Sequence, residues 1–231
     1  MIEDLLPKTV AAAEHFGDAP DEGLFPAERA LMAGVGAGRR REFTTGRYCA
    51  RLALRGLGVA PAPLLPDAEG APRWPAGTVG SLTHCRGYRA AVAARRTEVR
   101  ALGIDAEPHR PLREGVLASV ALPEEQEHRA ALLRLDAAVH WDRLLFCAKE
   151  ATFKAWFPDG ARPGLTRPRT LYDIHVTLRP APPGPRSDRG AFHARVLPGR
   201  PGSVLFRGRW LVTEDFLLTA VAVPAAPSDR L

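Results

Sequence analysis

Two stretches of this chain carry an apolar repeat at helical spacing, and each is followed by strand-like segments joined through tight turns. That doubled order constrains the fold more than any other feature. In the first stretch, Arg39 to Leu57, the positions Phe43, Ala50, Ala53, Leu54 and Leu57 share a helix face, and Gly56 and Gly58 end it. After a proline-rich loop at 60–66 and a turn at Asp67 to Arg73, strands are predicted over 78–83, 89–96 and 99–105. Their connections, Arg86-Gly87-Tyr88 and Thr97-Glu98, are short, so the three strands read as one antiparallel meander. The second stretch, Asp136 to Phe157, is the strongest helix in the chain. Its stripe is Trp141, Leu144, Leu145, Ala148, Thr152 and Trp156, with Pro158 as the stop. Strands follow at 171–178, 191–197, 203–212 and 216–223, with the proline-rich 179–190 as a flexible hairpin tip.

Around these lie short helices over 8–16 and 26–38 and a helix starting at Pro123. Leu112 to Leu122 is a loop holding one apolar helical turn. The expectation is an α+β fold of two similar subdomains, 1–103 and 104–231, each a long helix packed on an antiparallel sheet. No repeat of fixed period is visible, although the halves read alike.

The chemistry is concentrated where lysine is rare. Of 32 basic residues only three are lysines, and two of these stand together in Phe146-Cys147-Ala148-Lys149-Glu150-Ala151-Thr152-Phe153-Lys154-Ala155-Trp156. A background that turns exchangeable lysines into arginine leaves such a pair where a compact, proton-releasing charge matters. Glu150 and Lys154 share a helix face, one turn apart. The bland reading is a surface ion pair, which fits poorly with Phe146, Phe153 and Trp156 on either side. Asp105 and Glu107, two apart at a strand end, project to one face. Adjacent carboxylates repel unless a cation lies between them, and oxygen ligands shared with substrate phosphates suit Mg²⁺. A solvated strand end is the alternative for that pair taken alone. Thr83-His84 ends a neighbouring strand, where histidine serves either as a hydrogen-bonding fixture or as a phosphate contact. Arg47, Arg51 and Arg55 recur every four residues on the first long helix, and Arg73 sits in a turn. Each is a solvated charge unless a phosphate monoester is gripped there.

Bulk properties narrow the setting. Hydrophobic residues at 45% and charged residues at 25% describe a soluble globular chain. No apolar run approaches the ~20 residues of a membrane span. The acidic start, Met1-Ile2-Glu3-Asp4, lacks the basic region of a signal peptide, and Cys49, Cys85 and Cys147 are too scattered for a metal knuckle. Reduced thiols in a cytoplasmic protein are expected. A net charge of +6 calls for an acidic partner. The densest run, Arg39-Arg40-Arg41, is too short for a nucleic-acid arm and reads as a solvated face.

Four blocks together resemble the 4′-phosphopantetheinyl transferases of the Sfp/EntD type, in particular the actinobacterial group. They are Arg41-Glu42-Phe43-Thr44-Thr45-Gly46-Arg47, Gly80-Ser81-Leu82-Thr83-His84-Cys85, Gly103-Ile104-Asp105-Ala106-Glu107 and the lysine-bearing segment. The match runs over roughly 40–157, and the hairpin 203–223 is also similar. The resemblance implies two pseudo-twofold related halves with the active site in the cleft between them, working as a monomer. It implies that coenzyme A is the substrate and that Asp105, Glu107 and Glu150 hold Mg²⁺, or Mn²⁺, against its pyrophosphate. Glu150, directly or through water, would deprotonate the serine of an acidic acyl or peptidyl carrier protein. Lys154 would neutralise or protonate the leaving phosphate, with Lys149 a weaker candidate. His84 beside Thr83, with Arg47, Arg55 and Arg73, would hold the 3′-phosphate region. Val116, Leu117 and Val120 form the expected docking surface for the carrier.

Two other readings stay open at the level of residues. A Mg²⁺-dependent phosphohydrolase or nuclease could use the same carboxylates with water as acceptor. A basic nucleic-acid module would interleave aromatics with its arginines, and the basic helix offers only Phe43 and Tyr48.

Overall fold

Residues 1–19, 23–159, 168–181, 188–197 and 205–226 are described by a computed structural model. The elements are β1 (Ala11–Phe16), α1 (Pro26–Leu31), α2 (Ala37–Gly56), β2 (Thr78–Cys85), β3 (Tyr88–Arg95), β4 (Val99–Pro108) and α3 (Val116–Val120). They continue with α4 (Pro123–Leu135), α5 (Trp141–Asp159), β5 (Ile174–Pro180), β6 (Arg189–Val196), β7 (Leu205–Val212) and β8 (Phe216–Pro224). The architecture is the expected α+β mixture of helices and antiparallel sheets.

Two sheets replace the single meander. One has the order β1-β3-β2, the other β4-β8-β7-β6-β5. β4 therefore leaves its predecessors and pairs antiparallel with β8, Asp105 opposite Thr219. The short Thr97-Glu98 connection does not make β3 and β4 partners, because a tight turn links two strands without deciding whether they exchange a backbone ladder. What joins β4 to β2 is side-chain chemistry. Ser81 Oγ accepts from the Ile104 N–H and Thr83 Oγ1 from the Ala106 N–H, both at 3.0 Å. Rising numbers pair with rising numbers, so β2 and β4 run parallel along a seam between the sheets. A boundary at 103/104 falls within β4, all of which belongs to the second sheet.

Residues 8–16 are not a helix. Ala11 to Phe16 pair antiparallel with β3, Ala11 opposite Ala93 and Phe16 opposite Tyr88. Alanine's helix propensity is a weak prior, and an open sheet edge with small partners overrides it. The expected 26–38 helix is two pieces, α1 ending at Leu31 and α2 starting at Ala37. Helix α5 begins at Trp141 rather than Asp136, since Asp136 closes α4 and its Oδ1 accepts from the Ala138 N–H in a turn. The tip at 182–187 lies outside the described residues; 179–180 and 189–190 are strand.

Alternation along the strands builds four layers. Odd positions of β3 (Ala91, Ala93) meet α2, while Ala90, Val92 and Ala94 face Leu102, Ile104 and Ala106 of β4 and Leu218 and Ala220 of β8. The opposite face of the second sheet takes α5 through Trp141, Leu144, Ala148, Ala151 and Ala155. Gly103 permits the closest approach. A Cβ there would stand 1.9 Å from the Ala151 carbonyl oxygen, so only glycine lets α5 lie this near β4.

A short repeat emerges that the sequence reading passed over. Phe25-Pro26-Ala27-Glu28 and Leu122-Pro123-Glu124-Glu125 each open a helix with proline and place glutamate where it caps the helix start. Both carboxylates are buried and pair with the long helix of their own half, Glu28 with Arg51 at 3.1 Å and Glu125 with Lys149 at 2.6 Å. Proline followed two residues later by glutamate was the available signal.

Candidate active site

The β2–β4 seam, the start of α2 and one stripe of α5 enclose a cleft made of two adjoining cavities of about 570 and 630 Å³. On α5 the stripe Phe146, Glu150, Phe153 and Lys154 lines it at helical spacing, opposite the face buried against the sheet. Asp105 and Glu107 enter from β4, Thr83 and His84 from β2, and Arg39, Phe43 and Arg47 from α2. Arg73 and Trp74 form the wall of the second cavity.

Asp105 is the hub. Its Oδ1 accepts from Lys154 Nζ at 2.6 Å and from Thr83 Oγ1 at 3.1 Å. Its Oδ2 is buried and has no hydrogen-bond partner. A buried carboxylate oxygen without a hydrogen-bond partner, on a residue that lines the cleft, fits the donor a cation needs. Glu150 and Glu107 are both pushed above the usual carboxylate range, first by burial and then by Asp105 close at hand. Lys154 is pushed up: burial would lower it, but Asp105 and Glu150 outweigh that and keep the ammonium charged. Its side chain remains 29% exposed, open to the cleft.

Among the described residues no three histidine, cysteine, aspartate or glutamate side chains converge tightly enough to cage a metal. Lys154 holds one oxygen of Asp105, and Arg143 of α5 ties up Glu107 Oε2 while also donating to the Arg110 and Pro111 carbonyls. The donor set still suits Mg²⁺, which takes one or two carboxylates and completes its shell with water and substrate phosphates.

Positive charge gathers on the other wall. Arg47 is buried, donates from Nε to the Leu64 carbonyl at 2.9 Å and stacks 4.2 Å over Phe43. Burial brings its pKa down to about 10; Glu28 opposes this, and Arg51 and Arg39 add to it. The guanidinium keeps its charge, in surroundings that favour an incoming anion. Arg39 donates to His84 Nε2 at 3.0 Å, which fixes the proton of the neutral ring on Nδ1, toward Glu42. Burial is the main cause that lowers His84; Glu42 opposes it, and Arg39, Lys154 and Arg89 add to it.

Three expectations are corrected by position. Lys149 lies outside the cleft. It is fully buried, and its three N–H donors meet Glu125 Oε2, the Val120 carbonyl at 2.6 Å and the Leu171 carbonyl at 3.3 Å. One residue from Glu150 is 100° around the helix, which turns it toward α4 and away from the cleft. Arg55 is exposed two turns beyond Arg47 and lines neither cavity; Arg51 is occupied by Glu28. Val120 belongs to the core, leaving Val116 and Leu117 half-buried at the surface. Sequence reasoning missed Arg39 and Arg143. Arg39 stood one turn before Phe43 and two before Arg47, a spacing that places it on the same face.

Residues 27–94 match the family model for the 4′-phosphopantetheinyl transferase N-terminal domain, and residues 101–201 that for the 4′-phosphopantetheinyl transferase superfamily. The chain is 46% identical to 4′-phosphopantetheinyl transferase Svp of Streptomyces mobaraensis, over 99% of its own length and 91% of that protein. It is 46% identical to the transferase Npt of Nocardia iowensis, over 96% and 99% respectively. With PptT of Mycobacterium tuberculosis the identity is 47%, over 96% and 98%.

Proposed function

The chain belongs to the 4′-phosphopantetheinyl transferase superfamily, and on that premise we propose the reaction that its cleft performs. It transfers the 4′-phosphopantetheine arm of coenzyme A to the serine hydroxyl of an apo acyl or peptidyl carrier protein, releasing 3′,5′-ADP. The observation that carries the reading is Asp105, one oxygen held by Lys154 and the other bare, facing Glu150 across a cleft walled by arginines. A phosphohydrolase using the same carboxylates finds no support among the relatives.

Asp105, Glu107 and Glu150 are the residues that would hold Mg²⁺ or Mn²⁺, which when bound polarises the phosphoryl oxygens and offsets their charge. Glu150, which burial raises above the ordinary carboxylate range, accepts the serine proton directly or through a water. The serine oxygen bonds to the β-phosphorus, the phosphoanhydride bond breaks, and its electron pair leaves on 3′,5′-ADP. Lys154, held charged by its carboxylate neighbours, neutralises that departing phosphate more readily than it gives up a proton. Arg39, Arg47, His84 and Arg73 grip the nucleotide phosphates, and Thr83 positions Asp105.

The carrier is acidic, in keeping with the +6 charge, and docks on Val116 and Leu117 of α3. Val116→Asp then raises KM for carrier and leaves coenzyme A affinity unchanged; lost coenzyme A affinity would show the residue to be packing instead. The chain works as a monomer of two pseudo-twofold halves, in the cytoplasm. Among the described residues no helix is long and apolar enough to cross a membrane. The reaction is tested by the intact mass of an apo carrier protein incubated with this protein, Mg²⁺ and coenzyme A. One added phosphopantetheine arm, abolished by EDTA, is expected. No mass gain together with no coenzyme A binding overturns the proposal.

A further inference from the structure

The outer face of β5–β7 points away from α5, and its side chains are set by register. Ala191 of β6 pairs with Arg179 on one side and Arg209 on the other. Neighbouring strands lie about 4.8 Å apart, so two exposed guanidinium groups flank a methyl group across roughly 10 Å. Among the described residues neither arginine has a carboxylate partner. The short turn at Ile2–Leu5 overhangs this spot and closes a cavity of about 400 Å³, lined by Arg179, Arg189, Arg209, Asp4 and Leu5 around Ala191. Arg189 is paired with Asp188 at 3.6 Å, so Arg179 and Arg209 against Asp4 leave about one positive charge facing a space the size of a small ligand. In the next row His193 lies between Thr177 and Arg207. Its pKa is lowered by burial and then by Arg179 and Arg207, a sign of the local positive field.

We propose that this cavity is a second anion site, separate from the cleft, for a compact polyanion of the phosphate class such as diphosphate. Arg179 and Arg209 clamp it from either side of Ala191, each able to present paired N–H groups to phosphate oxygens. Alanine is the residue that leaves the clamp open. Among the described residues only Ala191 stands between Arg179 and Arg209, with no aromatic ring to stack a base, which argues for a small anion over a single-stranded nucleic acid.

Isothermal titration of the full chain, its cleft first saturated with coenzyme A, with inorganic diphosphate at low salt tests the site. Ala191→Glu places a carboxylate between the two arginines and is expected to weaken diphosphate binding roughly tenfold, as is Arg209→Ala. Coenzyme A affinity is unchanged in both, which separates this site from the cleft and shows that the variants are folded. Equal diphosphate affinity in wild type and both variants overturns the proposal. Loss of duplex DNA retention in the variants, with diphosphate binding unaltered, also overturns it and makes the face a track for a macromolecular polyanion.

Discussion

Replacing Lys149 by methionine separates two roles that a lysine in this motif could have. In the structure its ammonium is wholly enclosed and satisfies Glu125 Oε2, the Val120 carbonyl and the Leu171 carbonyl. Methionine fills similar volume, so the cavity contribution is small. What remains is a carboxylate with negligible exposure whose other partners are the Leu122 N–H at 2.8 Å and the Val176 N–H at 2.6 Å. Breaking a buried pair from one side costs about 3–5 kcal/mol. The two abandoned carbonyls push the figure toward the upper end. Against a total of some 5–15 kcal/mol for a domain, that is a large fraction. Urea unfolding followed by tryptophan fluorescence reads the loss directly. Coenzyme A affinity measured on the folded variant stays as in wild type, because the side chain does not reach the cleft. The double variant Glu125→Gln/Lys149→Met recovers part of the stability, since no charge is then left unpaired. A fully stable Lys149→Met with weakened coenzyme A binding would refute this placement and return Lys149 to the ligand.

Glu150→Gln is expected to lower transfer about 10²–10⁴-fold without loss of stability, and Lys154→Arg to restore only part of what Lys154→Ala removes; near-normal single-turnover rates would take either residue out of the mechanism. Arg39→Ala should raise KM for coenzyme A about tenfold or more through the loss of a charge-assisted contact, while Arg55→Ala leaves it unchanged; the reverse result would put the phosphate grip at the far end of α2. Glu14 accepts from Tyr88 Oη at 2.6 Å, from the Ile2 N–H at 3.1 Å and from the terminal amine at 2.8 Å. Burial alone would raise its pKa, but these donors win and lower it. A depressed carboxylate adds stability above its unfolded pKa and loses it as pH falls through the folded value. Glu14→Gln therefore costs about 1–3 kcal/mol at pH 7, with the gap to wild type closing in acid; a gap that is constant from neutral pH into acid denies the ionic contribution.

Local chemistry made much of this protein legible from sequence alone. The long helices, the later strands, the Asp105–Glu107 and Glu150–Lys154 pairs and the family all rest on spacings of two or four, which the backbone converts directly into shared faces. Where a decision depended on which partner a segment meets, sequence could not supply it. Ala11 to Ala13 became a strand because the β3 edge was open to them, and β4 left the meander because β8, more than a hundred residues later, offered its ladder. Lys149 and Lys154 were indistinguishable as letters in one motif. Tertiary structure sent one to a buried glutamate and the other to the cleft, since 140° of helix rotation separates two residues five apart. Sequence determined which groups could do phosphoryl chemistry; packing decided which of them meet.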